Sequence, residues 1–267
     1  MSANIKSLKT RINSINNTAH LTHAMELVAS SKIKRATMAL NNANEYLDAI
    51  EYVSNILLSY PECKTSEYMK ENDSKKDCII AIAGDRGLAG GYNINIYKLL
   101  NEYAESEIIP IGKKICEKQN QKITLCETFT SENAHDLISK LCKEYKEGKY
   151  RRIGIISTKY INLMKQTPNI NWLLPLKSTK VKSSGTILFE PNAESVFNYI
   201  VPELLTAKLV SSLKESFLSE VVSRRMAMNN ASNNADKMIN ELKLQYNQAR
   251  QSSITQELTE IIGGSSQ

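Results

Sequence analysis

No glycine interrupts the chain between Gly185 and Gly263, and no proline follows Pro202. About 60 residues free of both helix breakers can run as one helix on the order of 90 Å long, at about 1.5 Å per residue. The segment before Pro61 is also free of Gly and Pro, which predicts a second rod of about 80 Å by the same rise. A small globular domain has no use for rods this long, so each needs a partner along its length.

The N-terminal segment carries its own pairing signal. Positions 5, 8, 12, 15, 19, 22, 26, 29, 33, 36, 40, 43, 47, 50, 54 and 57 alternate steps of three and four, and 13 of these 16 are apolar. That is a coiled-coil seam. It fails at Thr22 and Glu26, where an outside partner is expected to take over. In the C-terminal segment Phe217, Val221, Met228, Ala231, Ala235, Met238, Leu242 and Ala249 form a matching stripe, with polar gaps at Arg224 and Gln245. Two terminal rods of similar length pair most simply as an antiparallel coiled coil. The C-terminal seam stops near Ala249, which leaves the last turns without an intramolecular partner.

The chain between the rods has a different texture. Eight of the ten glycines fall between 84 and 185. Cys78–Ala83 is a short continuous apolar run followed by a glycine-rich turn, Gly84–Asn93, and a helical stretch to about Tyr103. Ile108–Ile111, Ile123–Cys126 and Arg152–Ile156 read as further strands, with helices from about Lys113 and over Ala134–Tyr145. Ile170–Leu176 and Thr186–Phe189 add extended segments at an edge. Strands and helices alternating at this spacing predict a mainly parallel sheet covered on both faces. The expected fold class is therefore α/β: a long antiparallel coiled coil of N- and C-terminal helices with an inserted Rossmann-like domain. The expected boundaries are 1–60 for the first helix, 61–76 for an exposed linker, 77–190 for the insert and 191–267 for the C-terminal helix. Within the last, a short helix over Ala193–Val201 is expected to lead through Pro202 into the long one.

Composition excludes several classes. The net charge of +6 divides as +2 over residues 1–57, +5 over 58–191 and −1 over 192–267, too diffuse for nucleic acid but compatible with acidic protein partners. No apolar run approaches the roughly 18 residues of a membrane span. The five cysteines show no CxxC spacing and read as reduced thiols. Residues 1–25 lack Asp and Glu, as transit peptides do. The seam nevertheless continues into them, so they are expected to belong to the helix, and a bacterial cytoplasmic location is favoured.

The chemical motifs are sparse. The turn after Cys78–Ala83 stands where an α/β domain binds nucleotide, yet it matches neither GxGxxG nor GxxxxGK[ST]. A tight strand-to-helix turn is the plainer reading, and a polar protein contact through Asp85 and Arg86 is a third. His20 and His23 have a metal-like spacing without further ligands. Glu257 and Glu260 read as a solvated helix face, and nucleophilic catalysis has no motif.

Four segments carry a resemblance. Ala24–Lys32, Asp85–Asn93, Leu173–Leu176 and Ala249–Ile261 closely resemble the gamma subunits of F-type ATP synthases, and the similarity runs in order along nearly the whole chain. It implies a rotor shaft inside the hexamer of alpha and beta subunits, with the insert near the epsilon subunit and the c-ring of the membrane sector. It further implies a non-catalytic chain without cofactor or metal, peripheral to the cytoplasmic face of the bacterial inner membrane. Arg250, Gln251, Thr255, Gln256 and Glu257 would meet the catch region of the hexamer. His20, His23, Met25, Lys32, Arg86, Gly87 and Ala89 would stand at the level of the acidic lever of the beta subunit. Family members commonly carry a strong base where this chain has His20 and His23. The alternative reading is a nucleotide-binding α/β enzyme with helical dimerisation arms, and a third is a coiled-coil structural protein unrelated to rotation.

Overall fold

The computed structural model describes residues 2–177 and 187–264. Two long helices enclose the rest of the sequence: α1 (Ser2–Leu57) and α5 (Ala193–Gly264). Between them lie β1 (Cys78–Ile82), α2 (Tyr92–Asn101), β2 (Glu107–Ile111), α3 (Lys113–Gln119), α4 (Ser131–Lys146), β3 (Ile153–Tyr160) and β4 (Gln166–Leu174). Contacts group the chain into two compact units, one from residues 1–30 and 224–267 and the other from 31–223.

In the first unit α1 and α5 pair antiparallel. Ile15 and Ala19 pack with Ala235 and Ile239, and farther along α1 Glu26 accepts a hydrogen bond from Asn229 Nδ2 at 3.1 Å. The seam departs from the sequence reading at two places. Ile239, rather than the exposed Met238, is the buried residue on α5. Thr22 and Glu26 are partly buried instead of left to an outside partner. Thr22 turns its hydroxyl onto the carbonyls of Ala19 and Thr18, and Asn229 on α5 fills the gap at Glu26.

In the second unit α1 and α5 also pair. Ala36 and Leu40 pack on Leu218 and Val222. Ser211 donates to Asn44 Oδ1 at 2.6 Å, and Lys208 reaches Glu51 at 3.1 Å. Pro202 does not separate a short helix from a long one, because α5 runs through it.

The sheet has the order β2-β1-β3-β4. Its first three strands are parallel and β4 is antiparallel to β3. All five residues of β1 are buried, which is why the run is unalternated: both faces are covered. Cys78, Ile80 and Ile82 enter a core with α4 and the start of α5, whereas Ile79 and Ala81 join a core with α2 and α3. Gly154 is needed on β3, since a Cβ there would come within 2.9 Å of the Trp172 ring on β4.

Three expectations fail locally. Ile123–Cys126 is not a strand: its backbone crosses the end of the sheet, with Cys126 N donating to Asp85 Oδ1 at 3.0 Å and Thr124 O accepting from Gly112 N at 2.8 Å. The 61–76 segment is not an exposed linker. It forms two short 3₁₀ turns that bury Cys63 and Tyr68, and Asn72 Nδ2 donates to the carbonyls of Tyr145 and Tyr150. Of Thr186–Phe189, residue 186 lies outside the described residues, and 187–189 form no strand. Phe189 instead meets Tyr60 edge to face at 5.5 Å.

Candidate partner-contact sites

The last turns of α5 differ from the rest of the helix. Burial along the pairing stripe persists to Tyr246 and Ala249, both partly covered, and from Ile254 onward every residue whose side chain is described is exposed. Arg250, Gln251, Thr255, Gln256 and Glu257 are all exposed here. Short-range bonds run along this surface: Thr255 Oγ1 donates to Gln251 O at 2.9 Å, Thr259 Oγ1 to Thr255 O at 2.8 Å, and Ser253 Oγ to Glu257 Oε1 at 3.4 Å. Sequence reasoning stressed these polar groups and missed the apolar ones among them. Ile254, Leu258, Ile261 and Ile262 stand 47–67% exposed, at helical spacings that place them on one side. A hydrophobic stripe continuing past the end of the seam was the available signal. The side chain of Glu260 is outside the described residues.

The residues assigned to the lever level divide between the units. His20, His23 and Met25 belong to the first. His20 and His23 are exposed and Met25 is partly covered, and His23 Nδ1 lies 3.5 Å from Glu26 Oε2. Among the described residues no group of three or more His, Cys, Asp or Glu is placed to hold a metal ion.

Lys32, Arg86, Gly87 and Ala89 belong to the second unit. Lys32 lines a cavity of about 660 Å³ together with Arg35, Lys214, Phe129, Leu213 and Phe217. None of its three cations has an acidic partner among the described residues. Glu127, which pairs with Arg86, lines the same cavity, and the excess of positive charge suits the approach of an acidic surface.

The glycine-rich turn is built around Asp85. Its carboxylate accepts from the backbone amides of Lys113, Cys126 and Glu127, each at 3.0 Å, so it ties three segments together. Arg86 beside it reaches Glu127 Oε2 at 3.4 Å. Ala89 points into the core beneath α2 and is buried. A partner at this turn would therefore meet Arg86, Gly87 and Leu88, the last 64% exposed and held at φ +60°. Leu88 was passed over in the sequence because an isolated apolar residue in a glycine turn carries no periodicity.

This turn is also where the nucleotide reading meets the structure. Ligands of open α/β sheets bind outside the carboxyl ends of the strands, where the strand order reverses. Here that point lies between β1 and β3, and α5 fills it. A Cβ on Gly84 would come within 2.8 Å of Glu220 Cδ, and Tyr92 Oη is 2.7 Å from Ser216 Oγ. Tyr92 is buried in this setting. Burial, reinforced by the nearby Glu220 carboxylate, raises its phenol well above the ordinary value. A phosphate approaching Gly84 would meet a carboxyl group of the chain itself.

A family model described as ATP synthase matches residues 4–266. The ATP synthase gamma chain of Mycoplasma mobile is 37% identical over 281 residues, spanning 98% of both chains. The chain belongs to the ATP synthase gamma-chain family. The sodium-ion-specific gamma chain of Acetobacterium woodii is 31% identical over 298 residues, covering 99% of this chain and 98% of that one. Among solved structures, a chain of the Euglena gracilis mitochondrial OSCP/F1/c-ring assembly superposes with a TM-score of 0.66 at 16% identity, covering 98% of this chain and 94% of its own. A chain of the Tetrahymena thermophila central stalk/c-ring assembly gives 0.62 at 21% identity, covering 79% and 99%. These two likenesses show a shared fold. The two gamma-chain relatives match across α1, the insert and α5, along 98% of the length of each. Among the described residues no helix is long and apolar enough to cross a membrane.

Proposed function

We propose that this gamma-family chain is the central rotor shaft of an F-type ATP synthase. It couples ion-driven rotation of the c-ring to cyclic conformational change in a hexamer of alpha and beta subunits. The observation that carries this reading is the far end of α5, a helix that continues beyond its intramolecular partner with exposed polar and apolar side chains side by side. Arg250, Gln251, Thr255, Gln256 and Glu257 supply hydrogen-bonding and charged contacts there, and the hexamer bore supplies the missing surroundings.

The chain itself is non-catalytic and needs no cofactor. Its influence is allosteric: an asymmetric shaft makes different contacts with three identical catalytic subunits and biases each toward a different nucleotide affinity. The acidic lever of the beta subunit meets the level of His20, His23, Met25 and Lys32, and Arg86 and Gly87 with Leu88 at the turn. The unpaired cations beside Lys32 favour such a partner. The 77–190 insert faces the epsilon subunit and the c-ring, and the complex holds the chain at the cytoplasmic face of the bacterial inner membrane.

Co-expression with alpha and beta subunits tests the reading. The expected result is a stable complex whose ATP hydrolysis depends on this chain; a chain that fails to join, or joins without effect, removes it. At finer grain, His23→Lys is expected to change the ratio of ATP hydrolysed to ions pumped. An unchanged ratio at pH 6 and pH 8 would remove His23 from the lever contact.

A further inference from the structure

Two turns of α5 carry an unusual density of small polar residues on the side facing the sheet. Ser216 and Ser219 are fully buried, and Glu220 nearly so. Ser216 Oγ lies 2.7 Å from Tyr92 Oη at the start of α2 and accepts from Thr158 N on β3 at 3.4 Å. Ser219 Oγ donates to Thr158 O at 3.2 Å. Glu215 Oε1 accepts from Tyr160 N at 3.1 Å, and Ser223 Oγ donates to Gln166 Oε1 at 3.0 Å. Glu220 closes against Gly84. The end of β1, the start of α2, the end of β3 and the start of β4 are thus all joined to one short stretch of one helix.

These contacts differ in kind from the seam between α1 and α5. Apolar packing is non-directional and tolerates small slips between helices. A hydrogen bond from a buried hydroxyl to a buried backbone group has one geometry, and losing it leaves a desolvated donor or acceptor at a cost of about 1–3 kcal/mol. A slip of one helical turn, about 5.4 Å, would break all of them together.

The geometry points to a torque-bearing latch: Tyr92, Ser216 and Ser219 fix the α/β insert to α5 so that the two turn as one body. They are positioning residues, the serines acting through the backbone of β3 and Tyr92 through α2, and their role rests on the rotor reading proposed above. Load enters the insert from the c-ring side and leaves along α5, so the joint between insert and helix must hold. A crevice that would bind a ligand in other α/β domains is used here to grip a helix.

The test uses the complete complex in inverted membrane vesicles, with ATP-driven ion pumping read against ATP hydrolysis. Tyr92→Phe, Ser216→Ala and Ser219→Ala are combined; they delete hydroxyls while keeping shape. The expected result is hydrolysis within about twofold of the parent and pumping per ATP reduced roughly threefold or more, with faster amide exchange at Thr158 and Tyr160. Asp77→Asn, which weakens the opposite end of β1, is the control and is expected to leave the ratio intact. Should the combined variant assemble poorly, Tyr92→Phe alone is expected to lower the ratio in the same direction. An unchanged ratio in the variants, or an equal fall in the Asp77 control, overturns the latch. A parent complex that hydrolyses ATP but pumps no ions overturns the rotor reading first, and the latch with it.

Discussion

Asn229 on α5 donates its side-chain amide to the Glu26 carboxylate on α1 at 3.1 Å, a polar point in the seam between the two helices. A polar pair inside a coiled coil fixes register at some expense of stability. Replacing both residues by leucine is expected to stabilise the pairing of residues 15–30 with α5 by roughly 1 kcal/mol, whereas Glu26→Leu alone strands the Asn229 amide and destabilises it. Hydrogen exchange of the α1 amides in this stretch, compared across the three chains, checks both signs.

Asp77 carries a second electrostatic prediction. Arg151 contacts both of its oxygens, at 2.9 and 2.8 Å, and Arg152 Nη2 lies 2.7 Å from Oδ2. Burial by itself would raise this carboxyl, but the two guanidinium groups outweigh it and hold it below the ordinary carboxylate value. A depressed folded value means stability that is present above the unfolded value of about 3.9 and is lost as pH falls through the folded one. Asp77→Asn is expected to lower stability by about 1–3 kcal/mol at pH 7, the arginines being partly solvated. Denaturant titrations at pH 7 and pH 3 should find the gap closing on the acid side.

Two glycines with positive φ should respond unequally to alanine. Gly148 has φ +78° and open space where a Cβ would go, so strain alone acts, at about 1 kcal/mol. Gly112 has φ +114°, and a Cβ there would lie 2.0 Å from Ala83 O. Gly112→Ala is expected to unfold the insert or to cost several times as much. Thermal melts of the two variants decide it.

The cysteines are expected to be chemically silent in the folded chain. Burial raises Cys78 to about 12 and both Cys63 and Cys142 to about 11, and it raises Cys126 further. Only the thiolate attacks, and Cys116 is shielded by burial, so maleimide at pH 8 should leave the native chain unlabelled and modify all five thiols in denaturant. Rapid native labelling of Cys78 would contradict this placement.

The long helices were legible because their signal is redundant. Every one of the sixteen α1 seam positions is at least partly buried, Thr22 and Glu26 included. The strands β1 and β3 were legible for a similar reason, since burial on both faces leaves continuous apolar runs. Ile123–Cys126 carries a similar local pattern, but Asp85 takes the Cys126 amide, and a side chain that far away in sequence leaves no periodic trace. The switch from Met238 to Ile239 shows the limit of a rigid three/four template in a helix free to shift its facing residue by one. Ala89 was legible as part of the family motif but not as an inward-facing residue, because a turn has no period from which to read its direction. Nothing in the spacing of Ser216, Ser219 and Tyr92 marked them as partners, because their proximity depends on how the sheet docks onto α5.

The exposed end of α5 also bears on the chain before assembly. Ile254, Leu258, Ile261 and Ile262 form a greasy tip on a helix with little to anchor it, the kind of apolar patch that either binds a partner or drives aggregation. An orphan copy therefore advertises its own incompleteness. Any partner that encloses the tip would raise the solubility of the chain as well as hold it.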